Sequence, residues 1–399
     1  LLLNALLDCF LSVSGRQGIR CIAAFALARG TYAPRRILIR TAILINGNEI
    51  EMNPDKNYDA IMIVSFGGPE GPDDVMPFLE NVLRGKNVPR ERMLEVSEHY
   101  KHFGGISPIN EQNRQLVAAL ETELTDHDIN IPVYWGNRNW DPLLPDALQK
   151  MKDDGIENAL AFFTSIYSCY SGCRQYRENI AEAQAHVGEG APDISKLRMA
   201  FNHPLYIEAS VARVKHALDQ IPAERQSKAR FVFTAHSIPM SMATGSDYAK
   251  QLTETCRLIM EALGDYNWDL VYQSRSGSPH HPWLEPDVCD HIQTLKTESD
   301  ATDLVLFPVG FISDHMEVLF DLDTEAKEIC DTLGINMVRA KSVGIHPAFV
   351  SMIRELILER TSGAEKRATG TLPANWDVCP PDCCSYDPTK RPPQTRITA

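Results

Sequence analysis

From residue 58 the chain alternates short apolar runs, rich in β-branched and aromatic residues, with longer amphipathic stretches. That alternation predicts a parallel α/β architecture. The strand candidates are 60–65, 131–135, 159–164 and 197–201, then 230–235, 270–273, 304–309 and 336–340. Each run is apolar at consecutive positions, as expected for strands covered by helices on both faces. Helical periodicity occupies 111–124, 144–152, 174–185, 207–218, 249–263 and 347–359. The eight strands fall into two sets of four, split near 202–207. Two Rossmann-like, doubly wound domains facing each other across a cleft are the expected fold.

The pattern fails at both ends. Residues 1–55 are read as an N-terminal extension outside the fold and without order, either an over-extended start or a helical anchor or presequence. Residues 361–399 are rich in Pro, Thr and charge and carry three cysteines. Such a tail buries too little apolar surface to order alone, so its cysteines suggest that a metal pins it. The expected organisation is therefore 1–55 extension, 56–204 first domain, 205–360 second domain and 361–399 cysteine-bearing tail.

With 399 residues, 44% hydrophobic and 23% charged, composition is that of a globular protein. A formal net charge of −14 argues against nucleic-acid binding, which needs a basic face. No stretch reaches the roughly 18 consecutive apolar residues that span a bilayer. Of ten cysteines, five cluster in sequence as Cys169 and Cys173, then Cys379, Cys383 and Cys384. Without a secretion signal, such a set reads as metal-binding before it reads as disulfides.

In open parallel sheets, ligands bind beyond the carboxyl ends of the strands, and the unusual residues of this chain collect there. The first strand runs into Phe66-Gly67-Gly68-Pro69, a turn where backbone could approach a flat ligand. The strand at 230–235 delivers His236, whose ring could take a proton or ligate a metal; a structural histidine bonded to backbone is the more ordinary reading. Glu317, Asp321 and Glu325 follow at helical spacing and share one face. A solvated acidic face is again the ordinary reading, but in a cleft the stripe would attract a divalent cation, and Asp314 and His315 beside it strengthen that view. Spacing alone yields a two-domain α/β protein whose cleft handles a metal cation.

At these positions the sequence closely resembles the ferrochelatase family. The match is carried by SFGGPEGPDDVMPFLENVLRG (Ser65–Gly85), HFGGISPINEQN (His102–Asn113), TAHSIPMS (Thr234–Ser241) and PVGFISDHMEVLFDLDTEA (Pro308–Ala326). YQSRSGSPHHPWLEP (Tyr272–Pro286) supports it, and the first segment with PVYWGNRNWDP (Pro132–Pro142) looks most like the actinobacterial-type enzymes of the coproporphyrin route. The resemblance implies insertion of ferrous iron, as substrate, into a porphyrin held between two domains. It implies coproporphyrin III rather than protoporphyrin IX, in haem biosynthesis, by a cytoplasmic monomer whose peripheral membrane contact stays open.

Residue by residue, the resemblance makes His236 the base or ligand on one face of the macrocycle and Glu317 the carboxylate on the opposite face. Asp321 and Glu325 become an acidic track behind it. Phe66, Gly67, Tyr100 and Ser107 are expected at the porphyrin, with His102 beside them and Arg174 and Arg177 as weaker carboxylate partners. Phe66 stands where some bacterial members carry a metal-approaching tyrosine, so apolar packing replaces any axial role. Cys173 with Cys379, Cys383 and Cys384 resembles the ligand set of a [2Fe–2S] cluster. A zinc site made of the same four thiolates, or untethered thiols, are the rivals, and Cys169 could stand in for Cys173. A cobalt or related chelatase, suggested by His315, and a non-catalytic haem or porphyrin sensor are the rival functions.

Overall fold

In this computed structural model the described residues are 42–45, 48–51, 57–85, 88–277 and 281–386. Expectations for 1–41 and for 387–399 lie outside them. In the N-terminal segment, expected to lack order, β1 (Ala42–Ile45) pairs antiparallel with β2 (Asn48–Glu51).

The remainder, from Tyr58, is one compact unit built on two four-stranded parallel sheets. The first holds β3 (Ala60–Ser65), β4 (Val133–Asn137), β5 (Asn158–Phe163) and β6 (Asp193–Lys196) in the order β4-β3-β5-β6. The second holds β7 (Arg230–His236), β8 (Trp268–Gln273), β9 (Asp303–Phe307) and β10 (Asn336–Arg339) in the order β8-β7-β9-β10. Both sheets thus place their strands 2-1-3-4, and the chain reverses direction of winding between the first and third strand of each. That reversal opens a crevice at the carboxyl ends of β3 and β7.

Strand alternation sorts the apolar side chains into layers. Ile61 and Ile63 of β3, with Phe231 and Phe233 of β7 and Val305 and Phe307 of β9, point into one shared core. Ala60, Met62 and Val64 face the opposite way, onto the helices Leu144–Asp153 and Gln175–Val187. Val232, Leu304 and Leu306 likewise face Val288–Glu298 and Lys327–Leu333.

The shared core is filled by three helices, Ile109–Asp126, Pro204–Leu218 and Pro347–Thr361, through Leu116, Leu120, Val214, Phe349 and Ile353. Helix Pro347–Thr361 packs on both of the others, so the last helix of the chain returns to the first half. Each fully buried Phe, Leu or Ile there contributes about 1.5–3 kcal/mol.

Two features depart from the sequence pattern. The run Leu197–Phe201 is buried, with Leu197, Met199 and Phe201 at 2–3% exposure, yet it is not a strand. The fourth strand is the preceding Asp193–Lys196, and a polar composition suits a sheet edge. The tail also differs from expectation, because protein contacts hold its described part, residues 361–386. Arg198 forms a fully buried bidentate pair with Glu359, at 2.8 Å on both arms, and donates to the Arg367 carbonyl at 2.7 Å. Asn202 donates to Leu372 O, and Lys196 donates to Trp376 O. Among the described residues no helix is long and apolar enough to cross a membrane.

Candidate active site

β7 ends at His236, and the loop after β9 leads into Met316–Val318 and a π-helix, Leu319–Ala326. These two elements meet. His236 Nε2 lies 3.9 Å from Glu317 Oε1. The ring's Nδ1 is hydrogen-bonded to the Ser237 carbonyl. A carbonyl only accepts, so Nδ1 carries a proton and Nε2 is the ring nitrogen turned toward Glu317. Both side chains are open to solvent, His236 at 32% and Glu317 at 48%.

A flat ring between two side chains needs roughly 7–8 Å, two van der Waals contacts, and His236 and Glu317 stand closer than that, at 3.9 Å.

Behind Glu317 the acidic stripe is present on a wider helical turn than the α-helix the spacing suggested. The i→i+5 bonding of a π-helix keeps residues four apart on nearly the same face, and such turns recur at functional sites. Glu317, Asp321 and Glu325 all line a cavity of about 340 Å³. Asp321 accepts from Gln273 Nε2 at 3.0 Å and from the Ser274 hydroxyl. Burial nevertheless pushes its carboxyl up to about 7, with Glu317 and Glu325 adding repulsion. Burial also raises Glu325, reinforced by Asp287 and Glu328, and raises Asp287 itself. Cys289, in the same cavity, is pushed up to about 12 by burial and by Asp287, Glu325 and Asp321.

The cavity's other wall is the helix Arg90–His102, which contributes Arg92, Val96, His99 and Tyr100. His99 stacks on Phe320 of the π-helix, 3.9 Å between centroids and 9° between planes. Tyr100 faces Glu317, and burial together with that carboxylate raises its phenol. Of the residues expected at a porphyrin, Tyr100 alone lines this cavity. Phe66 packs edge-on against Phe78 at 6.3 Å and lies under the Arg138 guanidinium at 5.7 Å. Gly67 adopts φ +81, and a Cβ there would lie 2.9 Å from Asn137 Cβ. Ser107 is buried beneath this turn, donating its N–H to Pro69 O and filling the space beside Gly68. His102 ends its helix edge-on to Phe103.

Asp314 is engaged away from the acidic stripe, whereas His315 lies beside Glu317 and His236. Asp314 Oδ1 accepts from Arg339 Nη1 at 2.9 Å and Ser342 N at 3.1 Å. Its backbone exchanges two hydrogen bonds with the Gln112 amide, joining the two halves beside the site. His315 sits edge-on to Phe311, and burial lowers its basicity. Gln273, Ser274, Asp287 and Cys289 were not singled out from the sequence. Ser274 takes φ +59, left-handed and rare outside glycine, to aim its hydroxyl at Asp321. A larger cavity of about 510 Å³ flanks the edge strand β4, lined by Arg114, Trp135 and Lys150, away from His236 and Glu317.

The tail brings three cysteines to a fourth. Cys379 lies beside Cys173 and Cys383, and Cys383 Sγ is 3.6 Å from Cys384 Sγ. Cys379 is held low by those two thiols, with Lys196 and Arg177 adding positive charge. Arg174 donates to the carbonyls of Pro381 and Cys383, and the Arg177 Nε is buried without a partner. Both arginines thus serve the cysteine region. Cys169 is separate: its sulfur accepts from Gly172 N at 3.1 Å and caps the turn that carries Cys173. Cys173 and Cys383 are raised in turn by the same contacts, and among the described residues no set of three or more His, Cys, Asp or Glu side chains is arranged to hold a metal ion.

Comparison with known proteins places the chain among relatives. The family model described as Ferrochelatase matches residues 58–361. A protein of Rhodopirellula baltica named Ferrochelatase is 60% identical over 337 residues, covering 84% of this chain and 95% of that one. Coproporphyrin III ferrochelatases of Streptomyces coelicolor and Nocardia farcinica are 48% and 47% identical, covering 82% and 84% of this chain and 93% and 98% of theirs. A histidine facing a carboxylate at the crevice of a doubly wound sheet, backed by an acidic cavity, is thus found in a chain that belongs to the ferrochelatase family, enzymes that insert iron into porphyrin.

Proposed function

We propose that the enzyme inserts ferrous iron into coproporphyrin III in the cytoplasm, using residues 56–204 and 205–360 as the two walls of the site. The His236–Glu317 pair carries this reading, because it is the place where a proton acceptor and a carboxylate converge beside a cation-attracting cavity. In the reaction, iron forms bonds to four pyrrole nitrogens while two N–H protons leave, with no change of oxidation state. His236 Nε2 accepts a pyrrole proton and passes it toward Glu317, whose carboxylate is near enough to take it through one water. Asp321 and Glu325, with Gln273 and Ser274 orienting Asp321, supply oxygen ligands along the route of the incoming cation. Phe66 offers an apolar face on the other wall, held by the Gly67 turn and Phe78.

The coproporphyrin preference rests on the named relatives from Streptomyces and Nocardia. Anaerobic insertion measured side by side with coproporphyrin III and protoporphyrin IX tests it. Higher kcat/KM with the tetracarboxylate is expected. Equal or reversed values would remove the preference, and turnover with Co²⁺ but not Fe²⁺ would remove the iron assignment.

Cys173, Cys379, Cys383 and Cys384 would hold a [2Fe–2S] cluster, which when bound would tie the tail to the turn at Tyr170–Arg174. Visible absorption and two irons per chain are expected from protein purified without oxygen. Cys379→Ser should abolish both, whereas one zinc and a colourless protein would overturn the cluster.

A further inference from the structure

The C-terminal tail touches more than the cysteine site. Asn375 Nδ2 donates to Ser168 Oγ at 2.6 Å. The same hydroxyl accepts from Gln251 Nε2 at 3.1 Å, and Ser168 N donates to Gln251 Oε1 at 2.8 Å. Ser168 and Gln251 are buried, so this amide–hydroxyl unit has a single arrangement. Gln251 lies one turn along the helix Tyr248–Leu263 from Tyr248. The buried Tyr248 hydroxyl donates to the carbonyl of His236 at 3.1 Å. His236 is the last residue of its strand, and a buried carbonyl needs a partner; here it is Tyr248.

A second line of contact runs in parallel. The Ser385 carbonyl lies so close to Gly245 that a Cβ there would be 3.0 Å away. Ser171 donates to Met242 Sδ at 3.7 Å, and Arg174 binds the Cys383 carbonyl at 3.3 Å. Residues 383–385 and the turn at 170–174 therefore both bear on 242–248, the segment that follows His236. Further along the helix, Thr371 donates twice to Glu254.

We propose that the tail is a positioning element for His236, acting through Asn375, Ser168, Gln251 and Tyr248. The proposal rests on the reading of His236 as the base in metal insertion. None of the four touches the reacting atoms; they fix where the His236 backbone, and with it the imidazole, stands relative to Glu317. Small displacements of an oriented group are costly in rate, while porphyrin binding does not depend on them.

The test uses the full-length enzyme under anaerobic conditions. Tyr248→Phe removes one hydroxyl and Asn375→Ala one amide. Each should lower kcat about 3- to 10-fold, the range of one neutral hydrogen bond, with porphyrin KM unchanged and the melting temperature lowered by no more than a few degrees. The double variant should be no slower than the slower single, because both act along one line. Amide hydrogen exchange at 234–238 should also quicken in Asn375→Ala, which requires no turnover. Unchanged kcat in either single variant, an additive double, or a change confined to KM overturns the relay. Wild-type protein that inserts no iron would sink the proposed function, and the exchange result alone would then decide the relay, unchanged exchange overturning it.

Discussion

The two halves of the molecule share a strand order and differ in almost everything placed at its open end. β3 leads to Phe66-Gly67-Gly68, a turn with a left-handed glycine and an aromatic ring packed among Phe78 and Arg138. β7, its topological counterpart, ends at His236, and the helical segment after β9 supplies three carboxylates. The turn after β3 offers shape, while the end of β7 and the segment after β9 offer a histidine and carboxylates. A doubled scaffold makes one crevice from two equivalent switch points, and nothing requires the two to be chemically alike.

That division is open to direct attack. The largest effect is expected at His236: His236→Ala should reduce kcat by about 10²–10⁴, the usual range for a general base, with porphyrin binding by fluorescence quenching retained. Phe66→Ala should do the reverse, raising KM several-fold while kcat stays within a few-fold. If Phe66→Ala costs as much kcat as His236→Ala, the first half contributes chemistry as well as shape.

Next in size is Gly67→Ala. A side chain at φ +81, with its Cβ 2.9 Å from Asn137 Cβ, should destabilise by about 1–2 kcal/mol and raise porphyrin KM. An unchanged melting temperature would mean that the turn relaxes freely and does not shape the wall.

The smallest effect concerns pH. Asp321 has its carboxyl raised to about 7, chiefly by burial. It is therefore neutral below that pH and a charged oxygen ligand above it. Iron insertion at limiting Fe²⁺ should rise between about pH 6 and 8, and Asp321→Asn should flatten that rise and lower the rate roughly tenfold at the alkaline end. For stability the sign is opposite. A carboxyl whose folded value lies above its unfolded value favours the fold at low pH, and this contribution is lost as pH climbs toward 7. Asp321→Asn should therefore melt higher than the parent at about pH 8, and little differently only at about pH 3.5, below the ordinary carboxyl value. A rate limb that survives the substitution would assign the titration to another group.

The same contrast governs what could be read in advance. β3 was legible to the residue, because all six of its side chains are buried and nearly all are apolar. The helix Arg90–His102 was not, since its only buried residue is Ser97 and it carries no apolar stripe to betray it. The run Leu197–Phe201 misled for the opposite cause: burial makes a sequence apolar whether or not it pairs into a sheet. His236 and Glu317 stand out in the sequence because they lie at strand and helix ends within distinctive motifs. Their approach to 3.9 Å does not, since it depends on how the loop after β9 docks against β7.

The sequence by itself determined two doubly wound sheets, the division of apolar from polar positions, the histidine and acidic stripe, and the spacing of the clustered cysteines. These depend on local periodicity and on residue chemistry, which the chain carries wherever it goes. Only the tertiary structure decided that Asp314 serves Arg339, that Gln273 and Ser274 hold Asp321, and that the tail reaches Ser168 and, through it, His236. Most of those contacts join residues dozens to hundreds of positions apart, and no local pattern records a partner that only folding brings within about 3 Å.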